Sequence, residues 1–354
     1  MIYIEVKKDK WKELEHYHAE YIEETLPGRW KSFCKKEVPM TEIDVVCQIL
    51  ENHDMIKKES KELQITNIIR WCTSEDIHTL ADETLEDLFD GLTFEISEEK
   101  KQNCVKHIRY ILGYQNFSGS SRIKTKDGRP WSRETFMDEI GIKVCPYCNR
   151  QYITSYSVSP EGKRIRKTTT DTDHYYPVSK FPFLSMNIHN MVPSCQICNS
   201  RLKLDKVSCK RDAHLYPYMD PSSSLEFQIP FSDVPQLYAF SEEDIHICLK
   251  GSEGVEKRAE QSKKIFRLEE VYETHRDIVY RLKNEIRDYS REEYNKIFCE
   301  NYTDLFGGYD RFIEVLHPFL AEDEKNTPLT KMKKDIYFYL KENCAVLYLS
   351  LIHI

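Results

Sequence analysis

Two cysteine pairs, "CPYC" at 145–148 and "CQIC" at 195–198, restrict this chain more than any other feature. Each CxxC forms a tight knuckle, and two knuckles can deliver four thiolates to one tetrahedral Zn²⁺. Forty-six residues separate Cys148 from Cys195, more than a minimal zinc ribbon needs, so an insert lies between the knuckles. A four-thiolate site keeps no open coordination position. The metal is therefore expected to be structural, and the chemistry has to be sought elsewhere. The competing reading, two redox-active pairs, lacks a thioredoxin-like βαβ context. The other eight cysteines (Cys34, Cys47, Cys72, Cys104, Cys209, Cys248, Cys299, Cys344) stand singly, mostly in helical stretches, and read as buried thiols. This usage favours metal over disulfide. The opening "MIYIEVKKDKWKELEH" also lacks the basic, apolar and small-residue order of an export signal, so a cytoplasmic setting is expected.

With 354 residues the chain can bury a sizeable core, and at roughly 100–200 residues per domain it should form two or three units. The pattern predicts an α+β, mostly helical fold in three stretches: helical at 1–130, a module at 131–210 built around the knuckles, and mixed strand and helix at 211–354. "MTEIDVVCQILENH" carries Ile43, Val46, Ile49 and Leu50 at helical spacing behind a Thr41 cap, and "SEEKKQNCVKHIRYILGY" repeats that logic with Val105, Ile108, Ile111 and Leu112. The loop-like 116–131 leads to "SRETFMDEIG", a helix with a Ser132 cap and a Gly141 stop. "RQYITSYSV" and "RIRKTTTD" read as a hairpin whose second strand runs on into Asp173 and His174, and "NSRLKLDK" as the first turns of a helix. Further on, "SSSLEFQIPFSDV" and "EEDIHICLKG" read as strands. Residues 256–300 read as a long helical stretch on which His275 is a core or rim residue rather than a ligand. No apolar run approaches a membrane span. The closing "NCAVLYLSLIHI" has no cap or polar tail, the pattern of a chain cut short.

Net charge is −8, which argues against a polyanionic partner until its distribution is considered. Residues 100–210 hold twenty Lys and Arg against eight Asp and Glu, a net of +12 that leaves −20 for the rest. A basic segment in an acidic protein is the footprint of phosphate binding, or otherwise an ordinary solvated surface. Within that segment a strand ends in Asp173-His174, a connecting loop carries Asn190, and Asn199 opens a helix. Asp173 and Asn199 offer hard oxygens that suit Mg²⁺ or Mn²⁺ rather than zinc, which leaves His174 to serve as a base of near-neutral pKa. Lys180, Arg201, Lys203 and Lys206, with "KRIRK" at 163–167, are candidate phosphate contacts. Tyr175, Tyr176 and Pro177 read as packing for the loop, and His189 as a loop histidine rather than an extra ligand. No GxxxxGK[ST] loop occurs, so energy coupling would have to come from a partner.

The coincidence of "DH", two asparagines nine residues apart and both knuckles resembles the HNH nuclease superfamily over about residues 141–210. The resemblance implies a ββα-metal module braced by a four-cysteine zinc. It implies that His174 deprotonates a water, that Asp173 and Asn199 hold one divalent ion, and that Asn190 orients His174 by pinning the loop backbone. The last motif position is Asn199 where the family name has His, as in many relatives. DNA phosphodiester hydrolysis leaving a 5′-phosphate and a 3′-hydroxyl is the implied activity, with RNA also open as substrate. The run from "CPYCNRQYI" through "DHYYPVSKFPFL" to "CQICNSRLK" is similar to HNH effectors of bacterial antiphage defence, of Septu and retron-associated types, which work beside an ATPase. The alternative is a zinc-stabilised nucleic-acid-binding or scaffold module without cleavage activity.

Overall fold

The computed structural model describes residues 1–354 except 36–38, 86–87, 90–91, 93–95, 118–123, 160–164, 207–213, 289–298 and 352–354. The fold is α+β and mostly helical, with three two-stranded antiparallel sheets among the described residues. No described helix is long and apolar enough to cross a membrane. The chain divides into two compact units, one of Ile4–Ile142 with Ile153–Tyr218, the other of Met1–Tyr3, Lys143–Tyr152 and Met219–Ile354.

The first unit opens with helices α1 (Lys8–Lys35), α2 (Met40–Asn52), α3 (Ile65–Thr73), α4 (Ile77–Leu85), α5 (Glu98–Leu112) and α6 (Arg133–Ile140). Local chemistry sets several of their ends. The Ser97 side chain accepts the Lys100 N–H at the start of α5, and Ser132 accepts the Thr135 N–H at the start of α6. Gly113 and Gly141 stop the same helices in the left-handed region, at φ +91° and +75°. Gly113 is required twice over, because a Cβ there would sit 2.2 Å from the Arg29 guanidinium carbon. Arg29 in turn donates to the Ile111 and Leu112 carbonyls, which the end of α5 leaves without helical partners. The Thr41 cap is not formed. Pro39 occupies the cap position of α2, so Thr41 lies inside the helix. The apolar stripes nevertheless point inward, with Val46, Ile49, Ile108 and Ile111 all buried.

Strands β1 (Ser155–Val158) and β2 (Ile165–Thr168) form the expected hairpin, but β2 does not continue into Asp173-His174. A separate strand, β3 (Asp171–His174), pairs antiparallel with β4 (Met191–Ser194), with Asp173 opposite Val192 and His174 opposite Met191. Two 3₁₀ turns, Pro182–Met186 and Ile188–Asn190, fill the connection. The segment after β4 is a π-helix, Ile197–Lys203, rather than the first turns of an α-helix.

In the second unit, strands β5 (Leu225–Gln228) and β6 (Cys248–Gly251) pair antiparallel. The helical stretch that follows is broken. A helix over Glu256–Phe266 stops at Arg267, whose φ of +49° is left-handed, and the chain resumes as Leu268–Tyr272, a 3₁₀ turn and Arg276–Asp288. Residues 289–298 of the expected stretch lie outside the described residues. His275 accepts from Arg150 Nε at 3.0 Å and packs edge-on against Tyr272, a rim histidine as read from the sequence.

Candidate functional site

His174 closes strand β3 and is buried. Its Nε2 lies 3.0 Å from the Ser185 carbonyl in the first 3₁₀ turn. A carbonyl only accepts, so Nε2 carries the proton and Nδ1 keeps the lone pair of a neutral ring. Burial pushes the His174 pKa down to about 3, and the positive charges of Lys203, Arg109 and Arg133 push the same way, against the Ser185 bond. The near-neutral base expected from the sequence is therefore replaced by an imidazole that stays unprotonated across the physiological range.

The loop between β3 and β4 is held by two asparagines. Asn190 is fully buried; its Oδ1 accepts the Tyr176 N–H at 2.8 Å, and its Nδ2 donates to the carbonyls of Tyr176 and Leu184, each at 3.1 Å. Leu184 adjoins Ser185, so Asn190 braces the turn that orients His174. Asn187, which sequence reasoning passed over, caps the second turn by accepting the His189 and Asn190 N–H groups and donates to the Trp71 and Ser74 carbonyls. Its signal is an Asn directly ahead of a turn, accepting the N–H two residues on in the Asx pattern. His18 supports the same segment from α1: Nε2 donates to the Met186 carbonyl at 2.7 Å, and Nδ1 accepts from Trp131 Nε1 at 3.3 Å. His189 stays away from the base, bonded to Glu15 at 2.9 Å and packed on Trp11 at 4.0 Å. Tyr175 and Tyr176 are buried packing residues, with Tyr175 donating to the His214 carbonyl.

Asp173 and Asn199 were expected to share one ion, but their hydrogen bonds run to different partners. Asp173 Oδ1 lies 2.8 Å from Lys203 Nζ, which also donates to the His174 carbonyl. Asn199 Nδ2 donates to Asp171 Oδ2 at 3.3 Å, and the Ser200 hydroxyl donates to the same oxygen at 3.2 Å. Asp171 and Asp173 alternate along β3, and the π-helix supplies a partner for each. Asp173 and Asn199 carry oxygens of the hard type that Mg²⁺ takes, and in this structure each residue is bonded within the protein.

Lys203 departs from its expected role. At 1% exposure it is buried in an ion pair, so it is not a surface phosphate contact. Lys180, Arg201 and Lys206 are exposed. Of "KRIRK", residues 163 and 164 lie outside the described residues. Two cations the sequence did not single out, Arg109 on α5 and Arg133 on α6, act on His174, and Tyr114 sets its ring edge-on against it at 4.6 Å.

Cys145, Cys148, Cys195 and Cys198 are all buried, with their sulfurs within 4.8 Å of one another. Zn–S bonds of about 2.3 Å would place tetrahedral sulfurs roughly 3.8 Å apart, so four soft donors of this spacing can hold a zinc ion. Each knuckle has its own local support. Asn149, at φ +47°, returns its N–H to the Cys145 carbonyl, and the Cys198 N–H points at Cys195 Sγ at 3.4 Å. The Tyr272 hydroxyl donates to the Cys148 carbonyl, and Tyr147 stacks on Phe266 at 4.4 Å. Among the single cysteines, Cys47, Cys72, Cys104 and Cys299 are buried, Cys248 is half-buried and Cys34 is exposed. Cys209 and the Cys344 side chain lie outside the description. Burial pushes the Cys72 thiol up to about 12, an inert group. Comparison of the chain with protein-family models, curated proteins and solved structures gives no match.

Proposed function

We propose that this chain is a metal-dependent endonuclease that hydrolyses nucleic-acid phosphodiesters, with His174 as the general base. The observation that supports this most is the state of His174. Its tautomer is fixed by the Ser185 carbonyl, its Nδ1 lone pair is kept, and its loop is locked by Asn190. A hydrolytic base must be unprotonated, oriented and within reach of a water, and such a base contributes about 10²–10⁴-fold. A pKa near 3, set first by burial and then by the nearby positive charges, makes the free imidazole a weak acceptor, and an incoming phosphodiester anion offsets only the charge part.

Asp173 and Asn199 are the residues that would hold a divalent ion, which when bound would stabilise charge on the leaving oxygen. The protein's own share is to take the proton of the attacking water at His174 Nδ1 and to hold the backbone phosphates. Lys180, Arg201 and Lys206 serve the second task as exposed, sequence-independent contacts. DNA is the favoured substrate and RNA an alternative, with 5′-phosphate and 3′-hydroxyl products. Structural zinc at the four cysteines would keep the module folded. The HNH resemblance further suggests an effector of a prokaryotic antiphage defence system, cytoplasmic and working beside an ATPase.

A second reading, a zinc-stabilised binding module without cleavage, draws on one observation: Asp173 is engaged by Lys203 and Asn199 by Asp171. Supercoiled plasmid incubated with the purified protein separates the two. The nuclease reading expects nicking or linearisation with added Mg²⁺ or Mn²⁺ and none without; the binding reading expects a mobility shift that is indifferent to these ions.

A further inference from the structure

Around His174 the first unit brings together cationic groups from helices that lie outside the strand pair carrying the motif. Helix α5 packs along the 3₁₀ turn whose Ser185 carbonyl orients His174. Arg109 stands on the last turn of that helix, and Tyr114, just beyond its Gly113 stop, presses its ring on the imidazole at 4.6 Å. Arg133 opens α6, interacts with Tyr114 and donates to Glu134 Oε1 at 3.1 Å. Both guanidinium charges are felt at His174.

Arg109 is out of balance here. Its Nε–H is buried and has no hydrogen-bond partner among the described residues. An unpaired buried N–H is costlier on a charged group than on a neutral one, and a bound anion removes that cost. A guanidinium N–H left unused on the helix that packs along the His174 turn is a donor suited to an anion. The planar fork of a guanidinium matches the non-bridging oxygens of a phosphodiester.

We propose that Arg109 and Arg133 form the seat of the scissile phosphodiester, with Arg109 Nε–H donating to a non-bridging oxygen and Arg133 clamping the same or the adjacent phosphate. Tyr114 keeps the seat against the imidazole. The assignment rests on the nuclease reading and adds to it the residues that bring the reacting phosphorus to the base. It also adds to the exposed Lys180, Arg201 and Lys206 two arginines contributed by α5 and α6.

The test is binding of a fluorescein-labelled 20-base-pair duplex, followed by anisotropy without added divalent ion so that no cleavage intervenes, over a series of salt concentrations. Arg109→Gln and Arg133→Gln should each weaken binding about tenfold, as expected for a lost charge-assisted contact, and reduce the salt slope by about 1. Arg109→Lys, which keeps the charge and loses the fork, should retain the slope with weakened binding. Thermal melting checks the fold of each variant, and if Arg109→Gln does not fold, Arg109→Lys and Arg133→Gln decide. Wild-type binding together with unchanged affinity and slope in the folded variants overturns the seat and leaves the nuclease reading standing. A wild-type protein that neither binds the duplex nor cleaves plasmid overturns both.

Discussion

Replacing Lys203 with methionine removes one half of a buried ion pair and takes the Lys203 charge away from the Asp173 carboxylate. The two charged groups are 2.8 Å apart, with side chains 1% and 3% exposed. Unit charges at that distance attract by about 6 kcal/mol at an effective dielectric of about 20, much of which desolvation of the two ions offsets. Breaking such a pair from one side typically costs about 3–5 kcal/mol, because the stranded charge keeps its desolvation penalty and loses its partner. Lys203→Met should therefore lower unfolding stability by about that amount in urea or thermal denaturation without added divalent ion. The double variant Lys203→Met with Asp173→Asn should recover a large part of the loss, giving a coupling of up to about 3 kcal/mol in a double-mutant cycle. A loss of under about 1 kcal/mol in the single variant would refute the reasoning, as would a double variant whose destabilisation equals the sum of the two singles.

Three further outcomes are expected. Cys145→Ser should lose bound zinc, measured by elemental analysis, and should unfold at a lower temperature, because the metal's binding energy contributes to folding. Stability should fall on acidification through His18. Its folded pKa is pushed down by burial to about 4 from an ordinary 6.5, so the unfolded chain takes up the proton first. Its contribution is fully present above pH 6.5 or so and is lost as pH falls towards 4, up to about 3 kcal/mol. His18→Gln should flatten the stability profile in that window, and an unchanged profile would contradict the assignment. Asn190→Ala should destabilise by about 1–3 kcal/mol and blunt any cleavage, since it removes the acceptor of the buried Tyr176 N–H and the donor to the Tyr176 and Leu184 carbonyls. Denaturation alongside a cleavage assay checks both effects.

Features set by local chemistry could be read from the sequence. The cysteine spacing anticipated the four-sulfur cluster, and Ser97, Ser132, Gly113 and Gly141 bound their helices because caps and left-handed stops act over a few residues. The β1–β2 hairpin and the existence of strands β5 and β6 followed from alternation and turn residues, while the pairing of β5 with β6 was added by the structure. Thr41 misled because Pro39, also compatible with a helix start, took the cap position. Lys203 was misplaced because nothing in the composition announces a π-helix, whose wide register closes with the Leu204 N–H on the Asn199 carbonyl and buries a lysine that surface statistics place in water. The surroundings of His174 were hidden for another reason. Arg109, Tyr114, Arg133 and His18 reach it or its loop from 41 or more positions away in sequence, and a helical stripe does not say which distant element a polar residue will face.

The most direct test of the central claim is plasmid cleavage by wild type and His174→Ala, both zinc-loaded and shown by melting to be folded, in Mg²⁺ over a matched time course. The account predicts nicked or linear product from wild type and a loss of at least about 10²-fold in the variant, the smallest contribution expected of a general base. Equal cleavage by the two proteins would contradict it.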